Sequence, residues 1–505
     1  MADGVGGQPR VSVVVPVHEP SVGFDDLCRS LWDQTLPDDA YEVVLVDDGS
    51  ADDTPQRLAA IARAHEHVRV HRIPASGWPG RPRNVGVERA RGRYVFFADQ
   101  DDYLFPEALE RMCAVADANL SDVVMGKVVQ LGAATPYWPL WQRDVARADL
   151  ARDGVTLSRT VHKLFRRDFL LAHGIRFPEG KVRLEDYHVM GQVFAASPTV
   201  SVLASSPCYR WLKHAANSSG GSTPAAAYWD YYAEAMGMVD ALGGPVAVSD
   251  AVKVAATAQA FTRSAFARWL EHPPEQQQAE LAVLASWVDD VVPERLDDRQ
   301  PVVRRAHLAA LRRRDPAAFV AAQRLRADAS ATHVPALAAW TADGRLEVTC
   351  RLRAVLPGER RDDPLGGERW LVPGLPDDGT YDLRLLDVDR ATAALSVRER
   401  GSGVEWPVES RFTVTPEPSG GELVVTGLLD PAAGAFGRPW APGVWDLNVR
   451  ASLLGRQFLR RATVSEGWGA PSLRAGGQVA SPYRTQAGTL AIRTTAVPGG
   501  GAADG

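Results

Sequence analysis

The sequence predicts an α/β domain built on a mostly parallel sheet, then a helical segment, then a C-terminal all-β, immunoglobulin-like sandwich. Three observations predict this order. Short β-branched runs alternate with helical patterns between Val11 and Ala98. Helical periodicity continues alone from Ala225 to about Arg326. After Pro335 the apolar pattern switches to period two, punctuated by Gly and Pro.

Val11 to Val15 reads as a first buried strand, ended by Pro16. Phe24, Leu27, Cys28, Leu31 and Trp32 recur at helical spacing. Glu42 to Val46 is a second strand, ending in Asp47-Asp48-Gly49-Ser50. Thr54 and Pro55 read as N-cap and first helical position, with Leu58, Ile61 and Ala62 on the inner face. Val68 to Ile73 is a third strand, Gly77-Trp78-Pro79-Gly80 a loop, and Arg81 to Ala90 a helix. The fourth strand, from Tyr94, stops at Asp99-Gln100-Asp101-Asp102. In a sheet covered on both faces, ligands bind beyond the carboxyl ends of the strands. Crowded carboxylates there suit a hard cation, Mg²⁺ or Mn²⁺, shared with substrate phosphates. The same run also reads as a solvated acidic turn before a helix, with Pro106 at an early helical position.

The 505 residues allow about two to four domains. The partition expected is a disordered N-terminus at 1–9, an α/β domain at 10–224, a helical linker or subdomain at 225–334, a sandwich at 335–495 and a disordered tail at 496–505. The net charge of -6 gives no reason to expect nucleic acid as a partner. Cys28, Cys113, Cys208 and Cys350 form no C-x-x-C pair, which disfavours structural zinc and a disulfide framework and fits a reducing cytoplasm. The first apolar run is too short for a signal peptide core, and none is long enough to span a bilayer. A soluble chain that can visit the inner face of a membrane is expected. The first strand is not followed by G-x-G-x-x-G, which disfavours a nicotinamide or flavin fold.

Four motifs, in this order and spacing, carry a resemblance: Val14-Val15-Pro16-Val17, Val46-Asp47-Asp48-Gly49-Ser50-Ala51-Asp52, Arg83-Asn84-Val85-Gly86 and Asp99-Gln100-Asp101-Asp102. Together they resemble family 2 glycosyltransferases of the GT-A fold, over roughly residues 9 to 225. His162-Lys163-Leu164-Phe165-Arg166-Arg167, Gly174 to Gly180 and Leu184-Glu185-Asp186-Tyr187 extend the match. The resemblance implies a nucleotide-sugar donor, by preference UDP-linked, and an inverting displacement. It implies that Asp48 accepts a hydrogen bond from the base edge, within a pocket walled by Pro16, His18 and Glu19. The family commonly has Tyr-Asn where His18-Glu19 stand. Arg83 and Asn84 would face the diphosphate, helped by Arg81, with Gly77 and Gln100 also on the donor side. Asp101 would bind the metal, Asp99 the metal or the ribose, and His214 the metal as a further ligand. Asp186 would be the general base with Glu185 beside it, and His162, Lys163 and Arg183 would meet the acceptor. Acidic residues in a first helical turn also occur for helix stability alone.

A transferase domain followed by helices and a sandwich resembles the wall teichoic acid glycosyltransferases. That resemblance implies an anionic polymer or other glycan acceptor and a homo-oligomer assembled through the sandwich. Arg143, Arg147, Arg152, Arg159, Lys163, Arg166, Arg167, Arg176, Lys181 and Arg183 outnumber the acids between them, as a basic acceptor groove would need, or as an ordinary mixed surface can show. Trp370, Trp406, Trp440 and Trp445 are expected in the sandwich core rather than stacked on sugars. Two rivals compete. One is a non-catalytic glycan-binding protein with a decayed transferase domain; Asp99, Asp101 and Asp186 argue against decay. The other is a sugar nucleotidyltransferase; Pro16-Val17-His18-Glu19-Pro20 does not supply its Gly-rich loop.

Overall fold

The computed structural model describes residues 8–20, 23–212, 225–261, 269–475 and 477–497. His214, residues 1–7 and the tail beyond Val497 lie outside the described residues. The chain divides into two compact units, Met1–Ala256 and Thr257–Gly505.

The first unit is built on β1 (Val11–Val17), β2 (Tyr41–Asp48), β3 (Val68–Ile73) and β4 (Tyr94–Phe97), the short β5 (Tyr103–Leu104), β6 (Val123–Gln130), β7 (Leu164–Arg166) and β8 (Val200–Trp211). They form one sheet in the order β3-β2-β1-β4-β7-β6-β8-β5. The first four run parallel, and β7 reverses against β4. Burial on both faces explains why β2 and β4 read as unbroken apolar runs rather than alternating ones. Helices α1 (Phe24–Trp32), α2 (Thr54–Ala64), α3 (Gly80–Arg89), α4 (Ala108–Asn119), α5 (Arg167–Ala172), α6 (Glu185–Ala195) and α7 (Ala225–Ala241) complete the unit.

Three features of this topology place the site. Val14 pairs with Phe97, so Ala98 and Asp99 leave the sheet at its carboxyl edge beside Pro16. Phe96 pairs with Leu164, and the reversal of β7 carries His162 to that same edge. It carries Arg166 to the opposite edge, where it pairs with Tyr94. Helix α3 lies hard on β1: a Cβ added to Gly86 would sit 2.1 Å from Val14 Cγ1, and one added to Gly80 2.2 Å from the Pro178 carbonyl.

In the second unit, helices Pro274–Val291, Val302–Arg312 and Pro316–Ala327 precede two large antiparallel sheets and a two-stranded one, Glu359–Asp362 with Glu368–Leu371. Strands Ser410–Glu417, Gly420–Leu429, Leu346–Val355 and Ser330–Trp340 make the smaller of the large sheets. Leu346–Val355 alternates buried and exposed residues along its length, as its period-two pattern predicts. The larger sheet centres on Thr392–Glu399 and Gly443–Leu453. The sheets face each other: a Cβ on Gly427 would meet Leu395 and Val408 at 3.0 Å. Trp370, Trp406, Trp440 and Trp445 are all buried, as core residues should be. The helices pack on these sheets. Arg305 and Asp389, both buried, pair at 3.3 Å, and the Tyr381 hydroxyl donates to Asp315 at 2.7 Å.

Candidate active site

Buried Arg83, on the first turns of α3, organises the carboxyl edge of the sheet. Its Nη2 donates to Asp99 Oδ1 at 2.7 Å, and its Nη1 donates to Glu185 Oε1 at 3.1 Å and Asp186 Oδ1 at 3.0 Å. One planar fork therefore joins the end of β4 to the start of α6. Burial opposes the charge on Arg83, but Asp186, Asp99 and Glu185 outweigh it and hold the guanidinium protonated. Burial likewise opposes the charge on Asp99, yet Arg83 and His162 hold its carboxyl well below the usual carboxylate range. Glu185 moves the other way: burial and then the neighbouring Asp186 raise it.

The two acids opening α6 differ in what holds them. Glu185 is gripped at both oxygens, by Arg83 and by the Trp78 indole N–H at 3.1 Å. Asp186 is held at Oδ1 alone, and Oδ2 has no hydrogen-bond partner among the described residues. The residue before them, Leu184, has φ 61, an uncommon left-handed conformation at which the chain turns into the helix. Both acids also face the favourable N-terminal end of the helix dipole.

Asn84 is buried and turned away from Arg83. Its amide donates to the Phe177 carbonyl (3.0 Å) and Glu179 (3.1 Å), and its carbonyl accepts from the Phe177 N–H at 2.9 Å. Asn84 thus ties down the loop that leads into α6. Asp48 is equally committed: it accepts from the Ser76 N–H (2.8 Å), the Ser76 hydroxyl (2.9 Å) and the Gly77 N–H (3.1 Å). It shapes the loop carrying Trp78. His18 donates from Nδ1 to the Asp48 carbonyl at 3.1 Å, and Gln100 exchanges two hydrogen bonds with the His18 backbone. Glu19 sits at φ 40, with its N–H donating to Ser50 Oγ at 3.1 Å. Pro16, His18, Glu19, Asp48, Gly77 and Gln100 are thereby one continuous wall. Arg81 makes no ion pair among the described residues.

A second cluster lies behind Asp99. The Trp211 indole N–H donates to His162 Nδ1 at 3.1 Å, so Nε2 carries the proton donated to Asp99 Oδ2 at 3.1 Å. Burial disfavours the charged imidazole, but Asp99 more than compensates and raises its pKa. His162 stacks on Tyr209, with ring centroids 4.4 Å apart. The Tyr209 hydroxyl accepts from the Asp99 N–H (2.9 Å) and donates to Asp102 (2.8 Å). Burial and the adjacent Asp99 push Asp102 up to about 7. Ligand atoms of Asp99, Asp102 and His162 all lie within 4.8 Å of one another, a set able to hold a divalent ion. A buried carboxylate pushed upward by its neighbour is the environment that a cation relieves. This trio shares only Asp99 with the set of Asp99, Asp101 and His214 expected from the motifs.

The basic run does not form one groove. Arg159 is buried, its guanidinium 4.7 Å from the Tyr187 ring and 5.9 Å from that of Tyr232. Lys163 is buried, donates to Ser158 Oγ (3.0 Å) and the Thr160 carbonyl, and is pushed down to about 7 by burial. Arg166 pairs with Asp122 at the opposite edge of the sheet, and Arg176 pairs with Glu88. The reversal of β7 and the burial of its approach divide a run that is continuous in sequence. Arg183 is partly exposed, just before the acids of α6. Sequence reasoning gave no role to Trp78, Phe177, Tyr209 or Trp211; Cys208-Tyr209-Arg210-Trp211 carried the signal, as an aromatic strand end.

Residues 12–183 match the profile of Glycosyl transferase family 2. The chain is 30% identical over 205 residues to a poly(ribitol-phosphate) beta-glucosyltransferase of Bacillus spizizenii, covering 40% of this chain and 32% of that protein. It is 29% identical over 201 residues to the poly(ribitol-phosphate) beta-N-acetylglucosaminyltransferase TarS of Staphylococcus aureus, covering 40% of this chain and 35% of that protein. The match thus spans about a third of the length of these relatives. A crystal structure of S. aureus TarS 1-349 in complex with UDP-GlcNAc superposes with a TM-score of 0.56 at 25% identity, over 62% of this chain and 90% of that one. A crystal structure of S. aureus TarS shares the fold over 97% of this chain and 86% of that one, with a TM-score of 0.56 at 17% identity.

Proposed function

We propose that this chain, whose residues 12–183 are a family 2 glycosyltransferase domain, is an inverting enzyme. It moves a hexose or N-acetylhexosamine from a UDP-sugar to a hydroxyl of a polyol-phosphate polymer of the cell envelope. The observation that carries this reading is the Arg83 clamp. It holds a donor-side carboxylate and two acids in one cluster, and leaves Asp186 Oδ2 alone uncommitted. The activities of the relatives supply the substrate classes. The complex with UDP-GlcNAc supports a UDP-sugar donor.

In this mechanism Asp186 Oδ2 takes the proton of the acceptor hydroxyl as that oxygen attacks the anomeric carbon. The bond from that carbon to the diphosphate breaks, UDP departs, and one displacement inverts the centre. Glu185, held by Trp78 and Arg83, places the acceptor and fixes the start of α6. The wall of His18, Asp48 and Gln100 receives the nucleotide. A divalent cation, Mn²⁺ or Mg²⁺, would be held by Asp99 and its neighbours Asp101 and Asp102, with His162 joining at Nε2 only on giving up the proton it shares with Asp99, and would neutralise charge on the leaving diphosphate. No helix of the described residues is long and apolar enough to cross a membrane. All four cysteines are free and buried, which fits work in the cytoplasm.

The test is Asp186→Asn beside Glu185→Gln. Asp186→Asn keeps its bond from Arg83 but cannot accept a proton, so turnover should fall by about 10²–10⁴ with UDP-GlcNAc affinity nearly unchanged. Glu185→Gln should alter acceptor KM more than turnover. Wild-type turnover in Asp186→Asn, or loss of donor binding with it, would sink the assignment.

A further inference from the structure

The order of the strands locates the crevice of the first unit. The chain lays down β1, β2 and β3 in one direction, then crosses back and places β4 on the other side of β1. Such a reversal opens a crevice at the carboxyl ends of the two inner strands, β1 and β4. His18 is the first residue after β1. Its backbone N–H donates to Gln100 Oε1 at 2.9 Å, and its carbonyl accepts from Gln100 Nε2 at 3.2 Å. The β4 side of the crevice therefore pins its backbone. Its ring turns to the β2 side, where Nδ1 lies 3.1 Å from the carbonyl of Asp48, the last residue of β2. Backbone and ring are thus fixed from opposite sides of the switch point.

This bond also fixes the ring's chemistry. A carbonyl oxygen can only accept, so Nδ1 carries the proton of the neutral imidazole. Nε2 is then a lone-pair acceptor. His18 is exposed, and Nε2 makes no hydrogen bond among the described residues. The neighbouring polar groups are engaged elsewhere. Asp48 is buried, and its carboxylate accepts from the Ser76 N–H, the Ser76 hydroxyl and the Gly77 N–H. Glu19 accepts from the Ala51 N–H at 3.3 Å, on the β2 side. Gln100 spends both ends of its amide on the His18 backbone. His18 Nε2 is therefore an acceptor whose position and protonation are both set by its neighbours. A pyrimidine with an imide N–H complements it, and a pyrimidine with a lone pair at that ring nitrogen opposes it.

We propose that His18 is the specificity-determining residue for the nucleobase, its Nε2 accepting the N3–H of uracil. This rests on the UDP-sugar reading above. Cytosine presents a lone pair at N3, so acceptor would face acceptor. Calorimetric titration of the full chain with UDP, CDP and N3-methyl-UDP tests it. Wild type should bind UDP about tenfold or more tighter than either of the others. The methylated ligand removes the donor while the protein stays unaltered. His18→Phe keeps a flat ring without an acceptor, and should bring the affinities for UDP and N3-methyl-UDP together. His18→Lys exchanges an acceptor for a donor, and should favour CDP over UDP; any added attraction to the diphosphate is common to both ligands. Equal wild-type affinity for UDP and N3-methyl-UDP would overturn the proposal. So would an undiminished preference for UDP in His18→Phe, which would move base reading to the remaining lone pair of Asp48 Oδ1. Both results leave UDP binding, and with it the transferase reading, in place. Failure of wild type to bind any of these nucleotides would overturn the UDP-sugar reading and the role of His18 together.

Discussion

Replacing Arg83 with Met tests whether one guanidinium holds the carboxyl edge of the sheet to the start of α6. The side chains it pairs with are 33% (Asp99), 13% (Glu185) and 18% (Asp186) exposed, so solvent screens them only partly. At charge separations of about 4 Å and an effective dielectric constant near 20, each pair is worth about 4 kcal/mol, or about 12 kcal/mol gross for three. Desolvation of Arg83 offsets most of that. Removing Arg83 alone, however, abandons three clustered carboxylates, and breaking a buried pair in this way costs about 3–5 kcal/mol. At about 2–4 °C per kcal/mol for a unit of this size, the N-terminal unit should melt about 6–20 °C lower. Calorimetry should show the C-terminal transition unmoved. Arg83→Lys keeps the charge but not the fork, and should fall between. Arg83→Met/Asp99→Asn should lose less than the sum of its single variants, because one abandoned charge is gone. A fall below about 2 °C in Arg83→Met, or strict additivity in the pair, would refute the clamp.

Three further outcomes are expected. Gly86→Ala gains up to about 1 kcal/mol of helix propensity, but its Cβ meets buried Val14 at 2.1 Å; overpacking of about 1–3 kcal/mol should win, so a rise in melting temperature would contradict the α3–β1 packing. His307 is buried, donates from Nδ1 to the Val303 carbonyl, lies against Phe261 and Phe319 with Arg304 and Arg326 near, and is pushed down to about 4 by burial. Above the unfolded pKa of about 6.5 both states are neutral. As pH falls from there to about 4, only the unfolded chain takes the proton, so the C-terminal unit should lose about 3 kcal/mol over that window; His307→Gln should flatten the profile, and an unchanged slope would count against it. Stripping divalent ions with a chelator should stop release of UDP and added Mn²⁺ or Mg²⁺ should restore it, since a cation contributes several kcal/mol at a leaving diphosphate; undiminished turnover would remove the ion.

Much of the catalytic unit was legible because a two-sided parallel sheet writes its strands as apolar runs and its crevice as the polar residues just beyond their carboxyl ends. Val11–Val17, Tyr41–Asp48 and Tyr94–Phe97 ended where the chemistry begins. Pairing between distant segments was not legible. His162 reaches Asp99 across 63 positions because three residues of β7 reverse against β4, and nothing in Leu-Phe-Arg announces that partner. Tyr209 lies 110 positions from Asp99. The basic run was visible as composition but not as surface, since the same reversal sends Lys163 and Arg166 to opposite edges. Arg83 and Asn84 show the finer limit. Adjacent in one motif, they point about 100° apart on α3. One therefore grips the acids of α6, and the other grips the loop leading to them. Both ends of that connection hang from a helix whose depth is set by Gly86 against Val14. The position of Asp186 relative to Asp99 thus depends on a contact that touches neither. In Gly86→Ala turnover should fall more steeply than UDP-sugar affinity, because the displaced helix moves Asp186, the proposed base, while the wall built on β1 and β2 keeps its own hydrogen bonds.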